Sequence, residues 1–425
     1  MLEPNHFAGR ETYVHYLHGR RFLIYWSLVA YMCVVQLGSL FRLNAGGFEL
    51  GLSTMLAGCI IALGFFSIDL RVAQSPLAVA TGILVLLATL GAAFSPFNLV
   101  DRGRAHAELF LYWSLALVVA SQFFSRAQTY GIVFASVAGL LIASSLTMID
   151  FLGIKSIPRC NELDYSSVAM ERGTTRRVNQ ASGFFPLRTA MASYYSLSIT
   201  ASYFIFIYGR QRREKLIGVA AFLAGLACVI ATHNRSASIS SAVAILVFLL
   251  FRKEHDGTRQ AKRWVLTLLA MSVIVSISIV FLGDHVRVYL SRTGYLFGHG
   301  DGARASDLSR FELFWYAIDQ VTQYPLGRGM TKMQLSNGIR ISPHNVVTAV
   351  VWAIGFSAFV WVPWFAYLMF RESLSRRGDV ANILSFSLLA WMLNNMMHES
   401  LSTGAAWVVF GLFLSVSANG NNSSL

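Results

Sequence analysis

Apolar stretches, each close to the length that crosses a bilayer, recur along the whole chain, separated by polar turns that are mostly basic. A hydrocarbon core takes about 20 consecutive apolar residues as a helix. Backbone N–H and C=O groups find no partner in lipid, so such runs must be helical. The pattern predicts spans at 22–41, 47–68, 76–95, 106–124, 129–152, 187–207, 216–232, 236–251, 264–282, 345–370, 382–397 and 403–418. Runs such as 82–93 and 242–251 carry no polar face, which a helix of a soluble core would show. The expected fold is therefore all-α, a polytopic integral membrane protein of about twelve transmembrane helices. Two long polar segments break the spacing, 153–186 and 283–343. They divide the chain into residues 1–282 with nine spans, the polar segment 283–343, and residues 344–425 with three more.

Composition narrows the class. Hydrophobic residues make up 55% and charged residues 13%, with mean hydropathy +0.54. A soluble chain of this length needs far more charge to cover its surface. The net charge of +13 would raise nucleic acid as a partner of a soluble protein. Here the basic residues sit between apolar runs, so topology and anionic lipid headgroups account for them and no nucleic acid is expected. With both termini placed in the cytoplasm, the cytoplasmic segments hold seventeen Lys and Arg and the short outer loops four. That asymmetry predicts cytoplasmic termini and puts both long polar segments outside. Three of the four cysteines lie in apolar runs, and Cys160 stands alone in a polar segment, so no disulfide framework is implied. The basic stretch 1–21 feeds directly into the first span, without the pattern of a cleaved leader.

The segment 283–343 contains one helical pattern. Phe311, Phe314, Trp315, Ile318 and Val321 recur at helical spacing, which predicts a short amphipathic helix in the membrane interface, with Asp307 or Ser309 as its cap. Tyr324-Pro-Leu-Gly-Arg-Gly329 should end it, because a proline and two glycines do not continue a helix.

Candidate chemistry lies at the outer ends of spans. Arg188 opens the sixth span, Arg235 sits in the turn between the seventh and eighth, and His344 with Asn345 opens the tenth. A guanidinium group is suited to a phosphate, which it binds through paired, charge-assisted bonds. A helix start adds unpaired N–H donors. Two such arginines can clamp a diphosphate whose lipid tail stays in the bilayer. His344, with a reference pKa of about 6.5, can act as a base, and a neighbouring arginine keeps it neutral. The bland readings are an arginine reaching for headgroups and a histidine that only anchors a span end. Arg102 and Arg104 are read as headgroup anchors. His233 and the pair His398 and Glu399 are further outward ionisable groups, as bases or supporting partners. Asp150, Glu49 and Glu108 are expected to be solvated. No HxxxH or HExxH pair, outward Asp-x-Asp pair or nucleotide-binding loop occurs, so the expectation is chemistry without metal or cofactor.

Four stretches together resemble the O-antigen ligase and polysaccharide polymerase superfamily of bacterial membrane glycosyltransferases. They are Ala181-Ser-Gly-Phe-Phe-Pro-Leu-Arg-Thr-Ala-Met-Ala192, Thr232-His-Asn-Arg-Ser-Ala237, Ser309-Arg-Phe-Glu-Leu-Phe-Trp315 with Tyr324-Pro-Leu-Gly-Arg-Gly329, and Pro343-His-Asn345 followed by Ile354-Gly355. The resemblance implies a glycosyltransferase-C-like fold in the bacterial inner membrane. It implies an undecaprenyl-diphosphate-linked glycan as donor and a hydroxyl as acceptor at the periplasmic face, with metal-independent, inverting transfer. The acceptor would be lipid A-core for a ligase, or another lipid-linked glycan for a polymerase. By the same resemblance Arg188 and Arg235 engage the diphosphate, His344 serves the acceptor, and Arg310 supports from the loop helix. The chain departs from the family where Ala237 replaces the small residue, often glycine, of the Arg235 turn. Rival readings are a polyprenyl-glycan flippase, which should show internal repeats or midplane charges, and a scaffold, which leaves the polar helix starts unexplained.

Overall fold

Apolar runs of this length can satisfy their own backbone only as helices, and helices dominate the structure, a computed structural model. It describes residues 5–45, 48–95, 99–158, 160–161, 165–171, 174–181, 183–185, 188–251, 301–334, 340–341, 343, 345–376, 378–397, 401 and 403–420. In chain order the helices are α1 (Asn5–Val34), α2 (Leu52–Gly64), α3 (Leu70–Ala73), α4 (Pro76–Ala93), α5 (Leu99–Ala120), α6 (Arg126–Phe151), α7 (Arg188–Tyr208), α8 (Arg212–Ala231), α9 (Arg235–Phe251), α10 (Asp301–Gln323), α11 (Val346–Ile354), α12 (Ala358–Ser375), α13 (Asp379–Asn395) and α14 (Gly404–Gly420). Three antiparallel two-stranded hairpins lie outside them: β1 (Arg42–Ala45) with β2 (Phe48–Gly51), β3 (Tyr165–Glu171) with β4 (Thr174–Gln180), and β5 (Met333–Gln334) with β6 (Arg340–Ile341). The β3–β4 register pairs Tyr165 with Gln180 and Glu171 with Thr174.

Among the described residues six helices are long and apolar enough to cross a membrane: Gly19–Gly38, Pro76–Ala93, Arg126–Phe151, Ala190–Tyr208, Arg212–Ala231 and Val346–Ser375. Apolar helices at Leu52–Ser67, His106–Ala120, Arg235–Phe251 and Gly404–Val416 are shorter. This is the build of a helical membrane protein. The expected span 264–282 lies outside the described residues, as does the first part of the polar segment 283–343. The expected span 345–370 is present but broken. Gly355 stands between α11 and α12 at φ 59, ψ −134, a region closed to other residues, and a side chain there would collide with the Pro325 carbonyl.

The centre of the bundle is α7, the most enclosed of these spans. Its Ser193, Ser196, Ser198, Thr200 and Ser202 are fully buried. Their small size lets backbones approach closely, and their hydroxyls find partners within reach. Ser202 and Thr200 return theirs to Ser198 and Ser196 carbonyls at 2.7 and 2.8 Å. Ser198 accepts from Gln36 Nε2, just past the end of α1, at 2.7 Å and lies 2.9 Å from the Ser136 hydroxyl of α6. Ser241 of α9 donates to the Ser196 carbonyl at 3.1 Å, and Asn394 Nδ2 of α13 donates to Ser193 Oγ at 2.9 Å. Each interhelical bond contributes only about 0.6 kcal/mol in a membrane, so register rests on the set.

The two ends of the bundle differ. At one, Arg20 and Arg21 donate to the Leu63 and Phe123 carbonyls. Arg126 pairs with Asp379 at 2.7 Å, Tyr130 donates to Glu214 at 3.1 Å, and Asn382 donates to Tyr208 at 2.9 Å. Asp69 caps α3 and chelates Arg71, which holds its carboxyl below the ordinary range. The starts of α7 and α9 lie at the opposite end, hereafter the Arg188 end.

Glycine substitutions should report these contacts with opposite signs. In thermal unfolding of the detergent-solubilised protein, Gly58→Ala, with open space around it inside α2, is expected to raise stability by up to about 1 kcal/mol. Gly355→Ala is expected to lower it by about 1–3 kcal/mol.

Candidate functional site

The helix starts at the Arg188 end are fixed by hydrogen bonds among segments that leave the helices. Arg188 is the first residue of α7 and Arg235 the first of α9. The Ser241–Ser196 bond makes these helices parallel neighbours. Ser196 lies eight residues into α7 and Ser241 six into α9, so at 1.5 Å per residue the two starts are level to roughly 3 Å. The segments leading to the two starts are also joined, seven residues before Arg188 and four before Arg235, since the Ala181 N–H donates to the Ala231 carbonyl at 3.1 Å. The turn Thr232–Asn234 closes on α8 through three N–H bonds, and Ser236 caps back to Asn234 Oδ1 at 2.8 Å. Arg235 is half-buried. The side chain of Arg188 lies outside what is described.

A third element joins them. The Asn394–Ser193 bond brings the end of α13 beside the first turns of α7. His398 and Glu399, which follow, lie outside the described residues. A fourth element is α11. Asn345 is its N-cap, accepting the Thr348 N–H at 2.7 Å, so the side chain read as a supporting site group performs a capping role. His344 lies outside the described residues. The start of α11 and the end of α13 face one apolar cavity of about 570 Å³, which Val346, Val347, Asn395 and Met396 line together with Trp361 and Phe365 of α12.

Several expectations are corrected. His233, read as a candidate base, is buried in the Arg235 turn, in the left-handed region at φ 54. Asp150 is not simply solvated. Its Oδ1 accepts the Ile157 N–H at 2.7 Å and its Oδ2 accepts from Asn161 Nδ2 at 2.9 Å. Asn161, which sequence reasoning missed, also donates to the Thr147 carbonyl at 3.2 Å, accepts the Gly183 N–H at 2.8 Å and donates its own N–H to the Gly183 carbonyl at 3.0 Å. Cys160 is buried beside Leu37, Ala143 and Phe184, and burial pushes its thiol up to about 12. The segment 153–186 thus folds back onto the bundle at Cys160 and Asn161 and carries a hairpin.

The loop helix differs too. It begins at Asp301, so Asp307 and Ser309 lie within it and do not cap it. Of the expected stripe, Val321 is buried while Phe311 and Trp315 are exposed. The buried face is Leu313, Ala317, Gln320 and Val321, and α10 packs on α11. Arg310 lies in α10, its side chain outside what is described. The helix ends before Tyr324 as expected. Past that point Arg328 turns inward. Its Cζ lies 3.6 Å from the centre of the Tyr324 ring and 4.9 Å from that of Trp352, and Nη2 donates to Gln320 Oε1 at 2.8 Å. Burial draws its pKa below the ordinary guanidinium value. The backbone N–H groups of Arg328 and Gly329 donate to the Trp352 and Ala353 carbonyls at 2.8 and 3.0 Å. These bonds fasten the end of α10 to the break at Gly355. The only sequence signal was an arginine flanked by glycines that admit such close approach.

The sequence matches no protein-family model and no curated protein.

Stacking between two rings needs the planar fork of arginine. Arg328→Lys and Arg328→Ala are both expected to destabilise the full-length protein, by on the order of 2 kcal/mol. Limited proteolysis should then cut between α10 and α11 faster than in the parent.

Proposed function

We propose that the protein is a membrane glycosyltransferase of the O-antigen ligase type, which moves a glycan from undecaprenyl diphosphate to a hydroxyl of lipid A-core. In this reading the chain crosses the bacterial inner membrane about twelve times with both termini in the cytoplasm, and the Arg188 end faces the periplasm. The observation that carries it is the level pair of helix starts, each opening on an arginine, with the segments that lead to them joined by the Ala181–Ala231 bond. Two guanidinium groups at two helix N-termini suit a diphosphate. The nearly all-apolar cavity beside Asn345 suits a lipid-borne substrate.

The chemistry follows from the groups. Arg188 and Arg235 hold the diphosphate and take up the negative charge that grows on it as it leaves. His344, as a neutral imidazole, takes the proton of the acceptor hydroxyl. The hydroxyl oxygen forms its bond to the anomeric carbon from the face opposite the diphosphate, and the bond from that carbon to the diphosphate oxygen breaks. The product is inverted, undecaprenyl diphosphate departs, and His344 passes its proton to solvent. A polymerase would use the same steps with a lipid-linked glycan as acceptor.

Purified full-length enzyme, given a lipid-linked donor and lipid A-core, is expected to form the conjugate. His344→Ala should lower kcat by roughly 10²–10⁴-fold. Arg188→Ala and Arg235→Ala should lower transfer by roughly 10²-fold or more each. Undiminished transfer in His344→Ala and Arg235→Ala would overturn the assignment. In a deletion strain, donor stranded on the inner leaflet would mark a flippase instead, and surface chains of single repeats only would mark a polymerase.

A further inference from the structure

The segment that delivers the chain to Arg188 contains a polar device that the chemistry above does not use. Asn161 sits in the left-handed region at φ 51, which asparagine tolerates better than most residues. From there its side chain reaches two elements at once. Nδ2 is spent on α6, on the Thr147 carbonyl and Asp150 Oδ2, and Oδ1 is spent on the Gly183 N–H. Asp150 is in turn oriented by the Ile157 N–H. Gly183 is itself left-handed at φ 61, with Thr147 and Met191 in van der Waals reach of any added carbon. Two residues on, Phe185 stacks on Tyr194 of α7 at 5.1 Å. Hydrogen bonds therefore run from the end of α6 to Gly183, and ring packing of Phe185 carries the connection to Tyr194 in the second turn of α7.

We propose that Asp150 and Asn161 form a positioning clasp, which sets where Arg188 stands relative to Arg235 and so tunes the grip on the donor diphosphate. The inference rests on the reading of Arg188 and Arg235 as diphosphate ligands. Neither clasp residue touches substrate. Besides the packing of Phe184 and Phe185, two polar arms hold the Gly183 segment: the Ala181–Ala231 bond draws it toward the Arg235 turn, and Asn161, by side chain and backbone N–H, holds it to α6. Removing the Asn161 side chain leaves α7 in the bundle, because its contacts to Gln36, α6, α9 and α13 are untouched, but loosens the approach to Arg188. A misplacement of about 1 Å in such a group costs up to roughly 10²-fold.

The test measures binding of undecaprenyl diphosphate to the purified full-length protein, together with KM, kcat and melting temperature. Asn161→Ala is expected to weaken binding and to lower kcat/KM for the donor by between roughly tenfold and a hundredfold, in protein that still unfolds cooperatively. Asn161→Asp, which sets two carboxylates face to face, should do the same. The double variant Asp150→Asn with Asn161→Asp again opposes a donor to an acceptor and should recover most of the binding. If Asn161→Ala fails to fold, Asn161→Gly, which keeps the backbone conformation at no steric cost, carries the same expectation. Parent-like binding in Asn161→Asp or Asn161→Gly while Arg188→Ala loses it would overturn the clasp and leave the diphosphate reading standing. A lower melting temperature with binding and donor kcat/KM unchanged would overturn it as well. Parent-like binding in Arg188→Ala would remove the reading itself, and the clasp with it.

Discussion

Wherever the chain leaves a helix, its backbone N–H and C=O groups need partners, and the Arg188 end is organised by how they find them. Inside the helices the requirement is met locally. At the ends it is met by neighbours: the Ala231 carbonyl by Ala181, the Gly183 amide and carbonyl by Asn161, the Trp352 and Ala353 carbonyls by Arg328 and Gly329, and the Pro325 carbonyl by Phe356. Each bond ties an irregular segment to a particular helix end. The polar segments are therefore fastened to the bundle at chosen points: those at Ala231 and Gly183 precede the helix starts at Arg188 and Arg235, and those at Trp352, Ala353 and Pro325 flank the break at Gly355.

Because the fastening uses long-range partners, its parts were unequally legible. Hydropathy located the helices well where the apolar run and the helix coincide. The expected span 129–152 is Arg126–Phe151, 187–207 is Arg188–Tyr208, and 236–251 is Arg235–Phe251. The break at Gly355 was hidden, since a single glycine in an apolar run is compatible with an unbroken helix, and only the approach of the Pro325 carbonyl demands it. Asp150 read as solvated because nothing in its own span hints at Asn161, eleven residues on and past a turn. The face by which α10 packs on the protein was not legible either. Helical spacing finds apolar positions, but Phe311 and Trp315 face outward while the smaller Leu313 and Ala317 make the packed face.

Arginine shows the same limit. Arg188, Arg235 and Arg328 each follow or precede small residues near a helix boundary, and sequence alone ranks them alike. Arg328 is spent on structure, stacked between Tyr324 and Trp352 with its fork bonded to Gln320. That expense is intelligible. A buried guanidinium is costly unless its charge meets ring faces and acceptors, and here they come from α10, the loop and α11, so one side chain joins three segments.

The α11–α12 break and the cavity belong to one piece of geometry. A continuous helix from Val346 to Ser375 would present one straight apolar face. With the chain redirected at Gly355, residues on both sides of the break, Val346, Val347 and Val350 before it and Trp361, Phe365 and Met369 after it, line the same space with the end of α13 opposite. Arg328 and Gly329 stabilise the carbonyls just before the break, and Pro325 closes it. The loop that follows α10 thereby shapes an apolar chamber whose wall begins one residue past Asn345. A substrate with a lipid tail and a charged head needs an apolar space and a cluster of donors side by side, and in this chain both arise from segments that interrupt otherwise regular helices.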